Sequence, residues 1–339
     1  MKKRPIAQLV CALAATTSIA FSTTAWAQAD YPSKPIKLIV PFPAGGTSDV
    51  MGRMMAEEMG KALKQPVVVE NIGGAGGIIG TDRGSKAAPD GYTIVQTGVG
   101  QNAVAHGINP RVAYDSNKDF IHITQVHSGP NVLVVHPSAP FTTFKEFIAY
   151  AQANPGKLSY GYTPAASGHM AMELLKQTAA ACPGAKQAAC KPLFMVGIPY
   201  RGGGPLLNDV LAGQIPLSFI NQDTALQHVK AGKVRALAVT SVQRNPLYPD
   251  TPTIHESGYA GFSALSWSGL SLPKGTPKPI VDKIEAAAVA ALSSPAIKAK
   301  LEGNGFVVPP LGSAEYTAFV AKEQERWVRV IKVAGIKEE

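Results

Sequence analysis

The segment 36–63 constrains the fold more than any other. A short apolar run from Ile36 to Val40 is followed by Pro41-Phe42-Pro43-Ala44-Gly45-Gly46-Thr47-Ser48-Asp49. A helical pattern then places Val50, Met51, Met54, Met55, Met59 and Leu63 on one face. The run reads as a buried strand. Gly45 and Gly46 give a sharp turn, and Thr47 or Ser48 is placed to cap a helix running from about Asp49 to Leu63. A strand that passes through a glycine turn into a helix leaves bare backbone N–H groups and a positive helix end at one spot. Such a spot holds an anion.

The same unit recurs along the chain. Apolar runs at 67–70, 92–96, 131–136, 158–160, 193–198, 215–219 and 235–240 read as strands, with helical patterns between most of them. Thr143 and Glu146 form a capping box before Phe147, Ile148 and Ala151, and a further helix runs from about Gly168 through Met172 and Leu175. This alternation predicts an α/β fold, with mostly parallel sheets and covering helices. Pro277 and Ser313 start two C-terminal helices, whose apolar stripes include Ile280, Ile284, Tyr316, Val320, Trp327 and Ile331; Gly335 stops the second. These are packing helices. Glycine-rich turns at 41–46, 71–77, 98–101, 164–168 and 201–204 follow strands. Each alone is a tight turn. At matching strand-to-helix positions they are expected to line one cleft with backbone donors, because ligands of such sheets sit at the carboxyl ends of the strands.

The compartment follows from the N-terminus. Lys2, Lys3 and Arg4 precede an uncharged, mostly apolar stretch that ends in Ala25-Trp26-Ala27. This is the pattern of a signal peptide, residues 1–27, cleaved after Ala27. No later stretch is long and apolar enough to span a bilayer, so the mature chain is expected to be soluble and periplasmic. It keeps two cysteines, Cys182 and Cys190, close in sequence. In an oxidising compartment these suggest a local disulfide; two free thiols or half a metal site are the alternatives. No histidine pair lies nearby at ligand spacing, so no metal is expected. Cleavage leaves 312 residues, enough for two domains, with 29 basic against 23 acidic side chains. The mild positive field favours an acidic ligand. No basic cluster with interleaved aromatics suggests nucleic acid.

Catalytic and cofactor signatures are missing. The glycines at 73, 74, 76 and 77 fail the dinucleotide spacing, because position 79 is Ile79. No phosphate-binding loop, nucleophile elbow or H-E-x-x-H pattern occurs. No cofactor is expected.

Several segments together resemble the Bug-type solute receptors, the periplasmic components of tripartite tricarboxylate transporters. They are Pro32-Ser33-Lys34-Pro35-Ile36 with the turn from Pro41 to Asp49, Glu70-Asn71 with the following glycines, and Ala88-Pro89-Asp90-Gly91-Tyr92-Thr93. Further along come Ser167-Gly168-His169 with Glu173-Leu174, then Pro199-Tyr200-Arg201-Gly202-Gly203-Gly204-Pro205 and Leu211-Ala212-Gly213-Gln214. The run from Ala231 to Thr240, Pro249-Asp250-Thr251-Pro252-Thr253 and Gly275-Thr276-Pro277 complete the set. The resemblance covers essentially the whole mature chain, in the right order.

That resemblance implies a two-lobed, type II-like periplasmic binding protein. Crossings near 130–136 and 261–270 would give one lobe from 28–129 plus 262–339 and another from 130–261. It places ligand carboxylates at Phe42, Ala44, Gly45, Gly46 and Thr47, with Ser167, Gly168, His169, Tyr200, Arg201, Gly203, Asn221, Gln222 and Asp223 facing them from the second lobe. Gly76 and Gln101 join the set from the other glycine turns. Arg201 and His169 are the candidates for a second acidic group. Two departures stand out: 181–191 looks like an insertion carrying both cysteines, and Pro216 occupies a position often acidic in the family.

The reading is a monomeric, non-catalytic receptor that traps a small carboxylate and delivers it to the transporter's membrane subunits. Two rivals stay open. One is a periplasmic enzyme using His169 and Asp223 as acid–base groups; the other is a receptor that only signals through a partner.

Overall fold

The computed structural model describes residues 31–109, 111–181, 191–307 and 311–336. The leader with its cleavage site, the 182–190 segment and the expected Cys182–Cys190 bond lie outside them. No described helix is long and apolar enough to cross a membrane.

Strand β1 (Ile36–Val40) lies between β2 (Val67–Asn71) and β3 (Thr93–Gly98) and is parallel to both. Ile36, Leu38, Ile39 and Val40 are all buried, so β1 is covered on both faces, which is why its sequence shows no polar alternation. The helix Thr47–Leu63 packs Met51, Met55, Met59 and Leu63 into one apolar cluster with Ile36, Leu38, Ile280 and Ile284, the last two from the helix Lys278–Ser293.

The middle of the sheet is antiparallel. Strand β4 (Phe120–Val135) runs for 16 residues, and β9 (Leu265–Pro273) pairs with it and with β3. Up to Pro130, the partner of β4 is β9. From Asn131 onward it pairs instead with β7 (Leu217–Asn221) on one side and β8 (Arg235–Val239) on the other. Beyond β7 the sheet continues through β5 (Ser159–Tyr162) and β6 (Val196–Pro199), again in parallel. The order is β2-β1-β3-β9-β4-β7-β5-β6, with β8 on β4. Parallel strands with helical crossovers thus form the two flanks, and β4 carries one flank into the other.

The changeover at Asn131 is tied by a compact set of bonds. The Thr240 hydroxyl accepts from the Asn131 N–H (2.8 Å) and donates to the Ala264 carbonyl (2.7 Å). The Asn131 side-chain amide also donates to Ala264 (3.1 Å), and its Oδ1 accepts from the Ser167 hydroxyl (3.1 Å). Residues 131, 167, 240 and 264, far apart in sequence, therefore meet at one fully buried asparagine.

The capping box at Thr143 is present: its hydroxyl accepts from the Glu146 N–H and Glu146 Oε2 accepts from the Thr143 N–H, both at 3.2 Å. The last helix, Ser313–Ala334, ends at Gly335 with φ 65°. Its buried Tyr316, Val320, Trp327 and Ile331 share a cluster with Leu133, Leu175 and Trp267. Gln177 also donates to the Val330 carbonyl (2.7 Å), so this helix touches both flanks. Strand β9 and the first eleven residues of β4 carry no strand signal in the sequence, because buried polar side chains (His122, Thr124, Gln125, His127, Ser266, Ser268, Ser271) break the apolar pattern.

Candidate functional site

The strands β1, β3, β5, β6 and β7 all end at one cleft. It is bordered by 41–48, 98–101, 166–169, 202–206 and 219–221, with a volume of about 260 Å³. That is below the usual range of roughly 300–1,000 Å³ for drug-sized ligands and suits a small molecule. Helices start at its wall at Thr47, Ser167 and Gly203, and a π-helical turn starts at Val99. Each start turns unpaired N–H groups and a partial positive charge toward the same space. Among the described residues, no Lys, Arg, Asp or Glu lines the cleft. Two buried histidines do, His127 and His169, and burial pushes both down to about 4, so both are neutral at neutral pH. An anion here meets dipoles and neutral donors only, which suffice when several converge.

The first loop is held from behind by Asp49. Its carboxylate is buried and accepts from the Gly45 N–H (2.9 Å), Arg53 Nε (3.1 Å) and Asn71 Nδ2 (2.9 Å). Asn71 also donates to the Phe42 carbonyl (3.1 Å). Burial pushes the Asp49 carboxyl up, but the bonds from Arg53, Gly45 and Asn71 together outweigh it and hold it below the ordinary range. A carboxyl depressed in the folded state stabilises the fold above its unfolded pKa, near 4, and loses that contribution as pH falls through the folded value. Asp49→Asn is therefore expected to cost about 1–3 kcal/mol at pH 7. The gap to wild type should narrow below about pH 4. Thermal melts between pH 3 and 7 check this; a gap of constant size would remove the charge from the argument.

The structure corrects one local expectation. Thr47 and Ser48 do not cap the first helix: Gly46, in extended conformation, is the capping position, with no side-chain cap bond. The Thr47 hydroxyl reaches across the cleft to the Asp223 carboxylate (2.9 and 2.8 Å) and accepts from Asn221 Nδ2 (3.1 Å). Burial outweighs these bonds and raises the Asp223 carboxyl above its usual range.

Phe42, Ala44, Gly45, Gly46, Thr47, Gln101, Ser167, Gly168, His169, Gly203 and Asn221 are brought together around the cleft. His169 stacks on Tyr162, with centroids 4.3 Å apart, and its Nδ1 is buried with no hydrogen-bond partner among the described residues. Gln101 braces the turn from below, accepting from the Gly98 N–H (3.0 Å) and donating to the Gly76 carbonyl (2.8 Å).

Gly76, Tyr200, Arg201, Gln222 and Asp223 do not line the cleft. Gly76 faces the other flank: a Cβ on it would stand 2.5 Å from the Pro164 carbonyl oxygen. Tyr200 gives its hydroxyl to Asp209 (2.6 Å). Arg201 points to solvent. Gln222 is buried between Asn304 and Asn245, and the Asp223 carboxylate is taken by Thr47. His169 and Asp223 share no hydrogen bond among the described residues. No described cluster of His, Cys, Asp and Glu is arranged to hold a metal.

The residues that sequence reasoning missed come mostly from the sheet. Gln96 and Thr97 stand at the end of β3, where the strand-end rule points to them. His127 and Ser266-Trp267-Ser268 come from β4 and β9, where no local signal existed.

Comparison with known proteins extends this geometry. The profile of the tripartite tricarboxylate transporter family receptors matches residues 51–336. Protein BugT of Bordetella pertussis is 34% identical over 310 residues, covering 91% of each chain. The solved structure of R. palustris Rpa4515 with adipate superposes with a TM-score of 0.84 at 31% identity, over 91% of this chain and all of that one. MatC from Rhodopseudomonas palustris, with bound malate, superposes with a TM-score of 0.80 at 30% identity, over 89% of this chain and all of that one.

Proposed function

This chain belongs to the tripartite tricarboxylate transporter family of receptors, and on that premise we propose that it captures a small carboxylate and hands it to the family's membrane subunits. The observation that carries the reading is the cleft itself: several helix starts converge on a small space that no charged side chain of the described residues enters. Relatives bound to adipate and malate support the ligand class.

Binding is differential. One lobe, 28–129 with 262–339, meets the acid through the loop at Gly45, Gly46 and Thr47. The other, 130–261, closes over it through Ser167, Gly168, His169, Gly203 and Asn221. Arg201, exposed at the rim, serves the general field rather than a specific bond. The protein acts as a monomer without catalytic turnover. It is exported to the periplasm with cleavage after Ala27, and Cys182 and Cys190 are joined.

The test is a thermal-shift screen of the mature protein against mono-, di- and tricarboxylates, aromatic acids and acidic amino acids, followed by calorimetry on the strongest. Stabilisation by one acid class without chemical change in the acid is expected. Consumption of the acid would replace the receptor reading with an enzyme.

A further inference from the structure

The floor of the cleft holds a polar group that the anion loop does not explain. His127, from β4, is 2% exposed and lines the cleft. Its Nδ1 lies 3.0 Å from the Ser268 hydroxyl on β9. That hydroxyl in turn accepts from Gln96 Nε2 on β3, at 3.1 Å. The edge of Phe306 packs against the imidazole, with centroids 4.7 Å apart. Three neighbouring strands thus fix one ring.

The bond pattern favours one place for the ring proton. An amide nitrogen only donates, so Gln96 makes Ser268 an acceptor on that side. The serine hydrogen is then free to go to His127 Nδ1, the one remaining side-chain partner of that hydroxyl among the described residues. With Nδ1 accepting, the ring proton sits on Nε2. Nε2 makes no hydrogen bond among the described residues, and the ring that carries it lines the cleft. Burial keeps the imidazole neutral at neutral pH, so the ring neither attracts nor repels a charge strongly. It offers one directed donor.

We propose that His127, held by Ser268 and Gln96, is a specificity-determining residue: it gives an Nε2–H bond to a second oxygen of the bound acid, remote from the carboxylate held by the glycine loop. This rests on the carboxylate-receptor reading above. The chemical class is a small acid with a further acceptor oxygen, either a hydroxyl or a second carboxylate. An acid with a plain alkyl end would bury that donor unpaired, which disfavours it.

Calorimetry with hexanoate, 6-hydroxyhexanoate and adipate separates the cases, since they differ only at the far end. Wild type is expected to favour an oxygen-bearing end over hexanoate, by about 3- to 10-fold for the hydroxyl and more than about 10-fold for the carboxylate. The larger gain identifies the source. His127→Phe keeps a ring against Phe306 and should erase the preference, because the oxygen-bearing acids lose a donor and hexanoate no longer buries one unpaired. His127→Gln, which carries a donor near the Nε2 position, should restore part of it. A preference that survives His127→Phe overturns the proposal.

Nitrogen-15 NMR of the ligand-free protein gives a readout that needs no ligand. His127 should be the neutral Nε2–H tautomer at pH 7, and Ser268→Ala should raise the Nδ1–H fraction. A wild-type Nδ1–H tautomer overturns the proposal. If none of the three acids binds, the choice of carboxylate ligand fails, and the ring nitrogen shifts still decide whether His127 is the donor.

Discussion

Gly46→Val is expected to fold normally and to lose its acid, with affinity down about 100-fold or more. Gly46 has φ −90° and ψ 173°, an extended conformation that a β-branched residue adopts without strain. A Cβ placed there has no atom within 4 Å, so the new side chain projects into open space beside the cleft rather than into the core. It displaces the anion from the helix start, and each lost bond to a charged group costs about 1.5–3 kcal/mol. Gly45 is a poorer test, because its φ of +88° makes any side chain costly in itself. Melting temperature and calorimetry on the purified variant decide the matter. Near-wild-type affinity in a well-folded Gly46→Val protein would move the anion site away from this loop.

Gly76→Ala is expected to weaken binding without touching the ligand. Gly76 does not line the cleft, yet a Cβ there would sit 2.5 Å from the Pro164 carbonyl oxygen and 3.2 Å from the Ala165 Cβ across the gap. Contacts under 3 Å cannot be kept, so the two flanks must part or the turn at 163–166 must shift. An overlap of this kind costs about 1–3 kcal/mol. The cost falls on the closed form only, so affinity should drop about 5- to 100-fold. The left-handed φ of 62° adds about 1–2 kcal/mol of strain, which both forms share and which shows only as a lower melting temperature. Small-angle scattering with saturating acid should give a larger radius for Gly76→Ala than for wild type. Unchanged scattering and affinity would mean that the bound state does not make the Gly76–Pro164 contact. The pair of variants separates two routes to lost binding: Gly46→Val fills the site and leaves the closing contact intact, whereas Gly76→Ala leaves the site open and blocks closure.

The two predictions rest on different kinds of legibility. The strand, glycine turn and helix at 36–63 are written in neighbouring residues: an apolar run, two glycines, and methionines at helical spacing. Short-range rules suffice there, because backbone conformation and helix face depend on residues a few positions apart. The glycine turns of the other units were legible for the same reason, and four of the five reach the cleft. The fifth, at 71–77, bears instead on the opposite flank through Gly76.

Tertiary structure decided the rest. Thr47 reads as a cap from its local sequence, but its hydroxyl is taken by Asp223, 176 residues away. His127, Ser268 and Gln96 meet only because β4, β9 and β3 are adjacent, and β9 joins the sheet from far along the chain. The first eleven residues of β4 and strand β9 were not legible because buried polar side chains interrupt their apolar pattern, and partners such as Thr97, Ser271 and His122 meet only between neighbouring strands. Sequence alone thus determined the repeated strand–turn–helix units and the loop that meets an anion, because both are local backbone properties. Which side chains stand opposite that loop, and which glycine marks the point where the flanks touch, were decided only by folding, because those pairings join residues that no local rule connects.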